Sequence, residues 1–507
     1  MLTPLINQRL LPIVLWALVW LSVGDVSGQE TPPPRPQTTM TLKQCVVLAL
    51  QQAFNLKIEG IDEDIAKQQL GAARADYEPV FTATFDYRDT TDPGGRDPQT
   101  GILFSSETQS YSGSTNITGL IPTGGRYTVG ASGSDIDGEQ GGFPFANTSL
   151  RGPFAEFRQP LLENFAIDDT RLNIRVSLQN LQISSLELKQ AMLQTVNRIE
   201  EAYYDLIAAR ESVRVQESAL QLAEQLSSEN EKRVAHGDMA PIEAAEAQSQ
   251  ASTAKASLLL ARRQVLAQQN VLKGAMVDDF ARWRTVAILP TEGMVPEESL
   301  FDFGTSWRRA VKLRPELTVL EVQLDQQKLI ERRRRNQLLP QFDFTATAGL
   351  AGSNRDFDVA VEQIEDREAP YFSLGFSLEL PIGNRRARAN HKIAVAQSQQ
   401  AEIRLRQFRQ NVMIEIDDAL NQAETDFQRI TTTREAREYA EQALANEQAK
   451  LNRGASTNFV VLQLQRNLTG ARSDEIQSLA DYNKSLSRLR LAEGAGLDAH
   501  QVDLTTE

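Results

Sequence analysis

An internal repeat restricts the fold of this 507-residue chain more than any other feature. Three pairs of residues coincide when the sequence is shifted by 261 positions: Ala49 with Ala310, Leu56 with Leu317, and Pro79 with Pro340. A shift of 217 positions then places Gly237 on Gly454. Self-similarity at a fixed offset indicates one structural unit used twice. We therefore predict a first repeat at residues 41–276 and a second at 305–493.

Each repeat ends in two long helices joined by a tight turn, predicted at residues 168–276 and 385–493. Neither first helix contains a proline, and at 1.5 Å per residue each would be roughly 100 Å long. Apolar residues in the first repeat recur in steps of four and three: Met192, Val196, Ile199, Tyr203 and Leu206. This pattern is typical of a coiled coil. Alanines on a second face suit a closed ring of helices, although an ordinary antiparallel hairpin explains the same periodicity.

Strand-like segments precede each helical hairpin, within residues 79–160 and 340–381. Apolar and polar residues alternate there, and the apolar positions of the last segment are Phe372, Leu374, Phe376, Leu378 and Leu380. This alternation is typical of transmembrane β-barrel strands, but a half-buried sheet of a water-soluble protein has it too. A bilayer tolerates no open sheet edge, and one chain offers too few strands for a barrel. We therefore predict that several copies close a common barrel around a symmetry axis.

The ends and the middle of the chain have patterns of their own. A positive charge, an apolar run and small residues predict a cleaved signal peptide at residues 1–28, with an uncleaved anchor as the alternative. Residues 29–40 are predicted to be a Pro-rich linker. Residues 277–304 are expected to form an irregular equatorial segment between the repeats. The tail at 494–507 has no clear pattern, and we expect disorder there.

Composition excludes several classes of protein. The 67 acidic residues outnumber the 53 basic ones, and a net charge of −14 argues against nucleic-acid binding. Only 41% of the residues are hydrophobic, which excludes a bundle of membrane-spanning helices. Cys45 is the only cysteine, and the sequence has three histidines and no phosphate-binding loop or nucleophile elbow. We therefore expect no enzyme activity, no cofactor and no metal site.

The whole arrangement resembles the TolC-like outer membrane efflux family. The resemblance rests on the repeat, the two Gly turns, and the segments QPLL at 159–162 and LPIG at 380–383, which lead from strands into helices. It implies a fold that is mainly α with β. Long helical hairpins would form a periplasmic α-barrel, antiparallel strands would form a transmembrane β-barrel, and both would be closed as a homotrimer.

The resemblance also implies a function. The chain would be the outer membrane channel of a tripartite efflux or type I secretion system, a passive conduit for small molecules or proteins. It would dock onto a periplasmic adaptor protein and an inner-membrane pump. The alternative is a periplasmic coiled-coil adaptor or scaffold without a channel, in which lipid-facing strands would be absent.

A further candidate hairpin departs from the family's basic design of two barrel strands per repeat. It lies within residues 110–134, and its turn is formed by Pro122, Thr123, Gly124 and Gly125. Six strands per chain would give eighteen strands per trimer instead of twelve. The alternative is a hairpin folded over the rim of the barrel.

The periplasmic gate is a second departure. The family builds its narrowest ring from aspartates beyond the second tip, but the matching positions here are the uncharged Val460 and Gln463. Beyond the first tip the corresponding residues are Glu243 and Glu246, one turn apart on one helix face. Because crowded carboxylates attract cations, we expect a cation-preferring entrance. Ordinary solvated acids on a helix face are the alternative.

The tips of the helical hairpins are the predicted contact with the adaptor, by resemblance to the family. The residues concerned are Gly237, Asp238, Met239, Gly454, Ala455 and Ser456. Glycine also suits the left-handed conformation that reverses a helix within a few residues, so a purely structural turn is the alternative.

Two basic clusters flank the predicted junction between strands and helices. Their members are Arg332, Arg333, Arg334, Arg335, Arg385, Arg386 and Arg388. Guanidinium groups pair well with phosphates, so we predict contacts with outer membrane lipid at the inner leaflet. A solvated helix surface or salt bridges between protomers are the alternatives.

Overall fold

A computed structural model describes residues 36–96, 98–101, 105–140, 143–237, 239–296 and 302–499. The predicted signal peptide and the predicted linker up to residue 35 lie outside these ranges.

Each half of the chain folds in the order helices, strands, long helical hairpin. The elements of the first half are β1 (Gln37–Met40), α1 (Leu42–Gln52), α2 (Phe54–Ala75), β2 (Val80–Asp92), β3 (Ser106–Leu120), β4 (Arg126–Gln140), β5 (Phe143–Pro160), α3 (Asp169–Ala235) and α4 (Pro241–Met276). The remaining elements are α5 (Phe280–Trp283), β6 (Ala287–Pro290), α6 (Phe303–Leu313), α7 (Pro315–Asn336), β7 (Gln341–Asn354), α8 (Phe357–Glu365), β8 (Pro370–Glu379), α9 (Arg385–Asn452), α10 (Asn458–Glu493) and α11 (Gly496–Ala499).

The two longest helices, α3 and α9, have 67 and 68 residues, and each is therefore roughly 100 Å long. α3 packs against α4, α9 packs against α10, and α10 also contacts α3. Four of the five residues of the predicted seam are buried in one core: Val196, Ile199, Tyr203 and Leu206. Met192 packs against that core only partly buried, so the apolar periodicity marks the packed face of α3.

A small parallel sheet joins β1 to the segment between α4 and α6. β1 pairs with β6, and Thr38 lies opposite Ile288. Met40 and Ile288 are buried in the same core as the seam of α3. The predicted Pro-rich linker therefore extends too far, because residues 37–40 are a strand that buries an apolar residue.

The chain after Gly494 is ordered up to residue 499, which corrects the expectation of a disordered tail. Residues 496–499 form α11, and Leu497 is buried in the core beside Leu193 and Val196. The burial of this leucine offsets the entropy lost in ordering the segment. Residues 500–507 lie outside the described part of the chain.

The larger sheet has six strands in the order β2-β3-β4-β5-β7-β8, and all neighbours are antiparallel. β5 and β7 pair across the two halves of the chain. The extra hairpin is β3–β4, and it lies within the sheet between β2 and β5. A hairpin folded over a rim is therefore not what this chain forms. In the described residues, β2 and β8 each pair with one strand and are the sheet edges.

One face of this sheet is apolar from edge to edge. Cross-strand partners lie on the same face, and one register row runs Phe81, Ile117, Val129, Ala155, Ala348, Phe372. A row on the opposite face runs Thr84, Ser114, Ser132, Arg151. Apolar side chains such as Phe85 and Phe372 are exposed on the single chain. Separately, none of the described helices is both long and apolar enough to cross a membrane.

Candidate functional site

The two hairpin tips lie side by side at one end of the molecule. Asn458, at the start of α10, is buried, and its Nδ2 donates a hydrogen bond of 2.9 Å to Oε2 of Glu243 on α4. The same nitrogen lies 3.4 Å from the sulfur of Met239. Glu243 is in the first turn of α4, where the helix dipole favours an acidic side chain. The contact joins the two helical hairpins at their tips.

The four predicted gate residues share this end of the chain but differ in their surroundings. Glu243 is half-buried by its bond to Asn458, whereas Glu246, Val460 and Gln463 are exposed. Gln463 donates a hydrogen bond of 3.3 Å to Asn467 on its own helix. A single chain therefore presents one hydrogen-bonded carboxylate, Glu243, and one exposed carboxylate, Glu246, at the tips.

Both tip glycines adopt the left-handed conformation that the turn requires. The φ angle is +84° at Gly237 and +74° at Gly454, and a Cβ at either position would meet no atom within 4 Å. The glycines are needed for conformation rather than for space. Ser456 donates a hydrogen bond of 2.6 Å to Glu447, and Ala455 is exposed. The predicted tip residue Asp238 lies outside the described residues.

Two apolar residues at the tips are missing from the predictions. Ile242 is 66% exposed and Phe459 is 63% exposed, each within the first turn of the helix that follows a Gly turn. Each helical hairpin therefore carries one largely exposed apolar side chain directly after its Gly turn. The offset of 217 positions that aligns the two turns also aligns these residues, and that signal could have identified them.

The basic cluster on α7 does not form one surface. Arg333 is 3% exposed, and it donates hydrogen bonds of 2.9 Å from Nε and 3.0 Å from Nη2 to the carboxylate of Asp169. Its proposed contact with lipid phosphate is therefore wrong, because one face of α7 packs on α3 and turns this side chain inward. Arg332 and Arg335 are exposed, and Arg334 donates a hydrogen bond to Gln337.

The second basic cluster is solvent-accessible at the start of α9. Arg385, Arg386 and Arg388 are all exposed, and they follow directly on strand β8. The chain thus places three exposed positive charges in the first turn of α9, shortly after the end of β8. Within the ranges that the structure describes, no group of three or more His, Cys, Asp or Glu could hold a metal ion.

Comparisons with known proteins give one family and several related structures. The family model described as "Outer membrane efflux protein" matches residues 161–276 and 307–495. No curated protein sequence matches the chain.

Three solved structures have similar folds at low sequence identity. A membrane protein from Pseudomonas aeruginosa is 19% identical, with a TM-score of 0.66 over 89% of this chain and 92% of that one. The CmeC outer membrane channel of Campylobacter jejuni is 16% identical, with a TM-score of 0.65 over 90% and 86%. The outer membrane protein VceC of Vibrio cholerae is 17% identical, with a TM-score of 0.64 over 89% and 96%.

Proposed function

Because this chain belongs to the outer membrane efflux protein family, we propose that it is the outer membrane channel of a tripartite efflux or type I secretion system. In this proposal three copies form a passive conduit across the periplasm and the outer membrane. The cargo is small molecules or proteins, and the energy comes from an inner-membrane pump reached through a periplasmic adaptor.

The observation that carries the proposal is the one-sided apolar sheet, whose edge strands β2 and β8 have no second partner among the described residues. An apolar row crosses all six strands, and the opposite face presents hydroxyl and charged groups. Lipid outside and water inside is the distribution of a membrane barrel. Since a bilayer tolerates no open edge, β8 of one copy would pair with β2 of the next. Three copies would then contribute eighteen strands.

Exposed apolar residues on the helices also support the association of three copies into one closed assembly. α2 leads into β2, and α9 follows β8, so joining the sheet edges brings α9 beside α2 of the next copy. Among the residues that the structure describes, α2 carries an unpartnered apolar stripe of Phe54, Ile58, Ile61 and Ile65. Exposed apolar residues on α9 include Ile393, Ile403 and Ile414. Packing these surfaces against each other would remove both from water.

The tips would form the periplasmic entrance. Three copies would bring the carboxylates of Glu243 and Glu246 around one opening, and we propose that they favour cations there. The adaptor would dock on the turns at Gly237 and Gly454, with Ile242 and Phe459 as apolar contacts. The remaining residues proposed for this docking surface are Asp238, Met239, Ala455 and Ser456.

Arginines at the base of the sheet would meet the inner leaflet of the outer membrane. The proposal keeps every predicted arginine except Arg333, namely Arg332, Arg334, Arg335, Arg385, Arg386 and Arg388. Their guanidinium groups would pair with lipid phosphates at the polar boundary of the apolar face.

Membrane fractionation and planar-bilayer recording test the function directly. We expect the purified protein to run as a heat-modifiable trimer from outer membranes and to give discrete single-channel currents. A periplasmic adaptor or scaffold would instead fractionate with soluble protein and give no currents. A stable monomer in detergent would contradict the shared barrel.

A further inference from the structure

Helix α8 connects β7 to β8 in the sequence and lies close against the sheet. It packs against β7 and β5. A Cβ at Gly352 of β7 would overlap the carbonyl oxygen of Ala360, and Ala360 is fully buried. Thr148 of β5 is also buried near the helix, and it donates a hydrogen bond of 2.6 Å to Asp135. The absence of a side chain at Gly352 therefore lets the helix backbone touch the strand.

The alternation of β7 identifies the face on which α8 lies. Gly352 shares its face with the apolar positions of the same strand, which are Phe342, Phe344, Ala346, Ala348 and Leu350. Ala348 belongs to the apolar row that crosses all six strands. α8 therefore lies on the apolar face, directly beyond its last apolar residue on this strand, at the end of the sheet away from the long helices.

Part of α8 is apolar and uncovered in the single chain. Phe357 is 56% exposed, and Val359 is exposed too, while acidic residues occupy other exposed positions of the helix. A neighbouring copy would join at the edges β2 and β8, whereas α8 rests on the inner strands β5 and β7. Phe357 lies one helical turn before Ala360, which contacts Gly352 on the apolar face, and Val359 adjoins Ala360 in sequence. The neighbouring surface is therefore the apolar face of the sheet, and the occupant that fits is lipid.

We infer that α8 is an interfacial helix, seated on the lipid side of the barrel at the outer leaflet, with Phe357 and Val359 at the boundary between headgroups and acyl chains. The inference rests on the proposed function. Amphipathic helices bury their apolar residues at this depth, and aromatic side chains are favoured there. The helix would extend the lipid-contacting surface of the wall beyond the strands.

Site-specific fluorescence in bilayers tests the inference. Cys45 is buried, and burial raises the pKa of its thiol to about 12, so an introduced cysteine can be labelled selectively. The assembled protein carrying Phe357→Cys is labelled with NBD and reconstituted into phosphatidylcholine vesicles. Doxyl-phosphatidylcholine quenches the label from the lipid side, and iodide quenches it from water. We expect loss of NBD emission with a doxyl group near the headgroup, and a smaller loss with iodide.

Two control sites separate the failure of this inference from the failure of the proposed function. Phe376→Cys lies on the apolar face and Ser112→Cys on the polar face. If the label at Phe376 is quenched by lipid and the one at Phe357 only by iodide, α8 faces water and the inference is overturned. If the label at Phe376 is not quenched from the lipid side either, the proposed membrane barrel is contradicted. Val359→Cys gives an independent reading should the Phe357 variant fail to assemble.

Discussion

Arg333 is a buried guanidinium that is hydrogen-bonded to the carboxylate of Asp169, from a distant part of the chain, and lies in the electrostatic range of Glu163. Asp169 accepts two hydrogen bonds from it, of 2.9 and 3.0 Å, and Asn336 lies 3.5 Å from the same group. The pair ties the end of α7 to the start of α3, at the level where the sheet passes into the helices. The contribution of this ion pair to stability is reduced, because the side chain of Asp169 is 68% exposed and is screened by solvent.

Arg333→Lys should lower stability, because an ammonium cannot make the two-pronged contact with Asp169. We expect a loss of about 1–2 kcal/mol, after allowance for solvent screening. The midpoint of heat-induced trimer dissociation measures it. Arg263→Lys, at an exposed position of α4, is the matched control and should leave the midpoint unchanged. Equal effects at both positions would contradict the assigned contact.

The same pair predicts a pH dependence. Hydrogen bonds from Arg333 hold the pKa of Asp169 below its ordinary value of 3.8. Because this pKa is lowered in the folded state, the Asp169–Arg333 pair contributes its full stabilisation above pH 3.8. That stabilisation is lost as the pH falls through the lowered pKa. The difference in melting midpoint between wild type and Asp169→Asn should therefore persist at neutral pH and shrink in strong acid. If the difference in melting midpoint grew on acidification, the lowered pKa of Asp169 would be contradicted.

Asn458 and Glu243 allow charge and hydrogen bonding at the tips to be separated. Asn458→Leu removes the donor that joins the two hairpins, so we expect looser tips and a higher single-channel conductance. Glu243→Gln keeps an acceptor oxygen but removes the charge, so cation preference should fall while conductance changes little. Reversal potentials and conductances in planar bilayers measure both. Asn452→Leu, exposed on the same tip, is the control and should change neither quantity.

Among the elements, the β3–β4 hairpin depends on a close approach at its turn. Gly124 has a φ of +90°, and a Cβ there would overlap the carbonyl oxygen of Asn164 in the segment leading to α3. Ala166 donates a backbone hydrogen bond of 3.3 Å to Thr123 of the turn. The hairpin is thus attached to the base of the sheet as well as to its neighbouring strands.

Gly124→Val should destabilise the assembled protein by about 1–3 kcal/mol, because it forces a β-branched residue into a left-handed conformation and against a carbonyl. The measurement is the temperature at which the folded, fast-migrating form converts on gels. Gly95→Val is the control, since a Cβ at Gly95 meets nothing within 4 Å and its φ is not positive. A Gly124 variant as stable as the control would mean that the turn is not held by this contact.

For the whole molecule, the proposed trimer would cover apolar helix faces that the single chain leaves exposed to water. Ile61→Asn places an amide in the unpartnered stripe of α2 and should weaken each interface by about 1.5–3 kcal/mol, the value of burying one such side chain. Native mass spectrometry in detergent would record a shift toward monomer. Asp62→Asn, the adjacent exposed residue, should leave the trimer intact. Trimers unaffected by Ile61→Asn would exclude this stripe from the interface.

Local periodicity was enough to predict many of the helices and strands of this chain. The spacing of Val196, Ile199 and Tyr203 indicates a long packed helix, and the alternation in Phe372–Leu380 indicates a strand, because each pattern reflects the geometry of one element alone. The repeat indicated the outer membrane efflux family, which is confirmed. The helix-rich fold with a sheet also agrees with the structures of related channels.

Features that join residues far apart in sequence could be identified only from the folded structure. Four adjacent arginines have the same local sequence character, yet packing on α3 buries Arg333 and leaves Arg332 exposed. Three further contacts likewise join segments far apart in sequence: the hydrogen bond between Asn458 and Glu243, the packing of α8 on β5, and the burial of Leu497 beside α3. Such contacts are set by which faces meet when helices and strands pack, and no repeat period within a single segment records them.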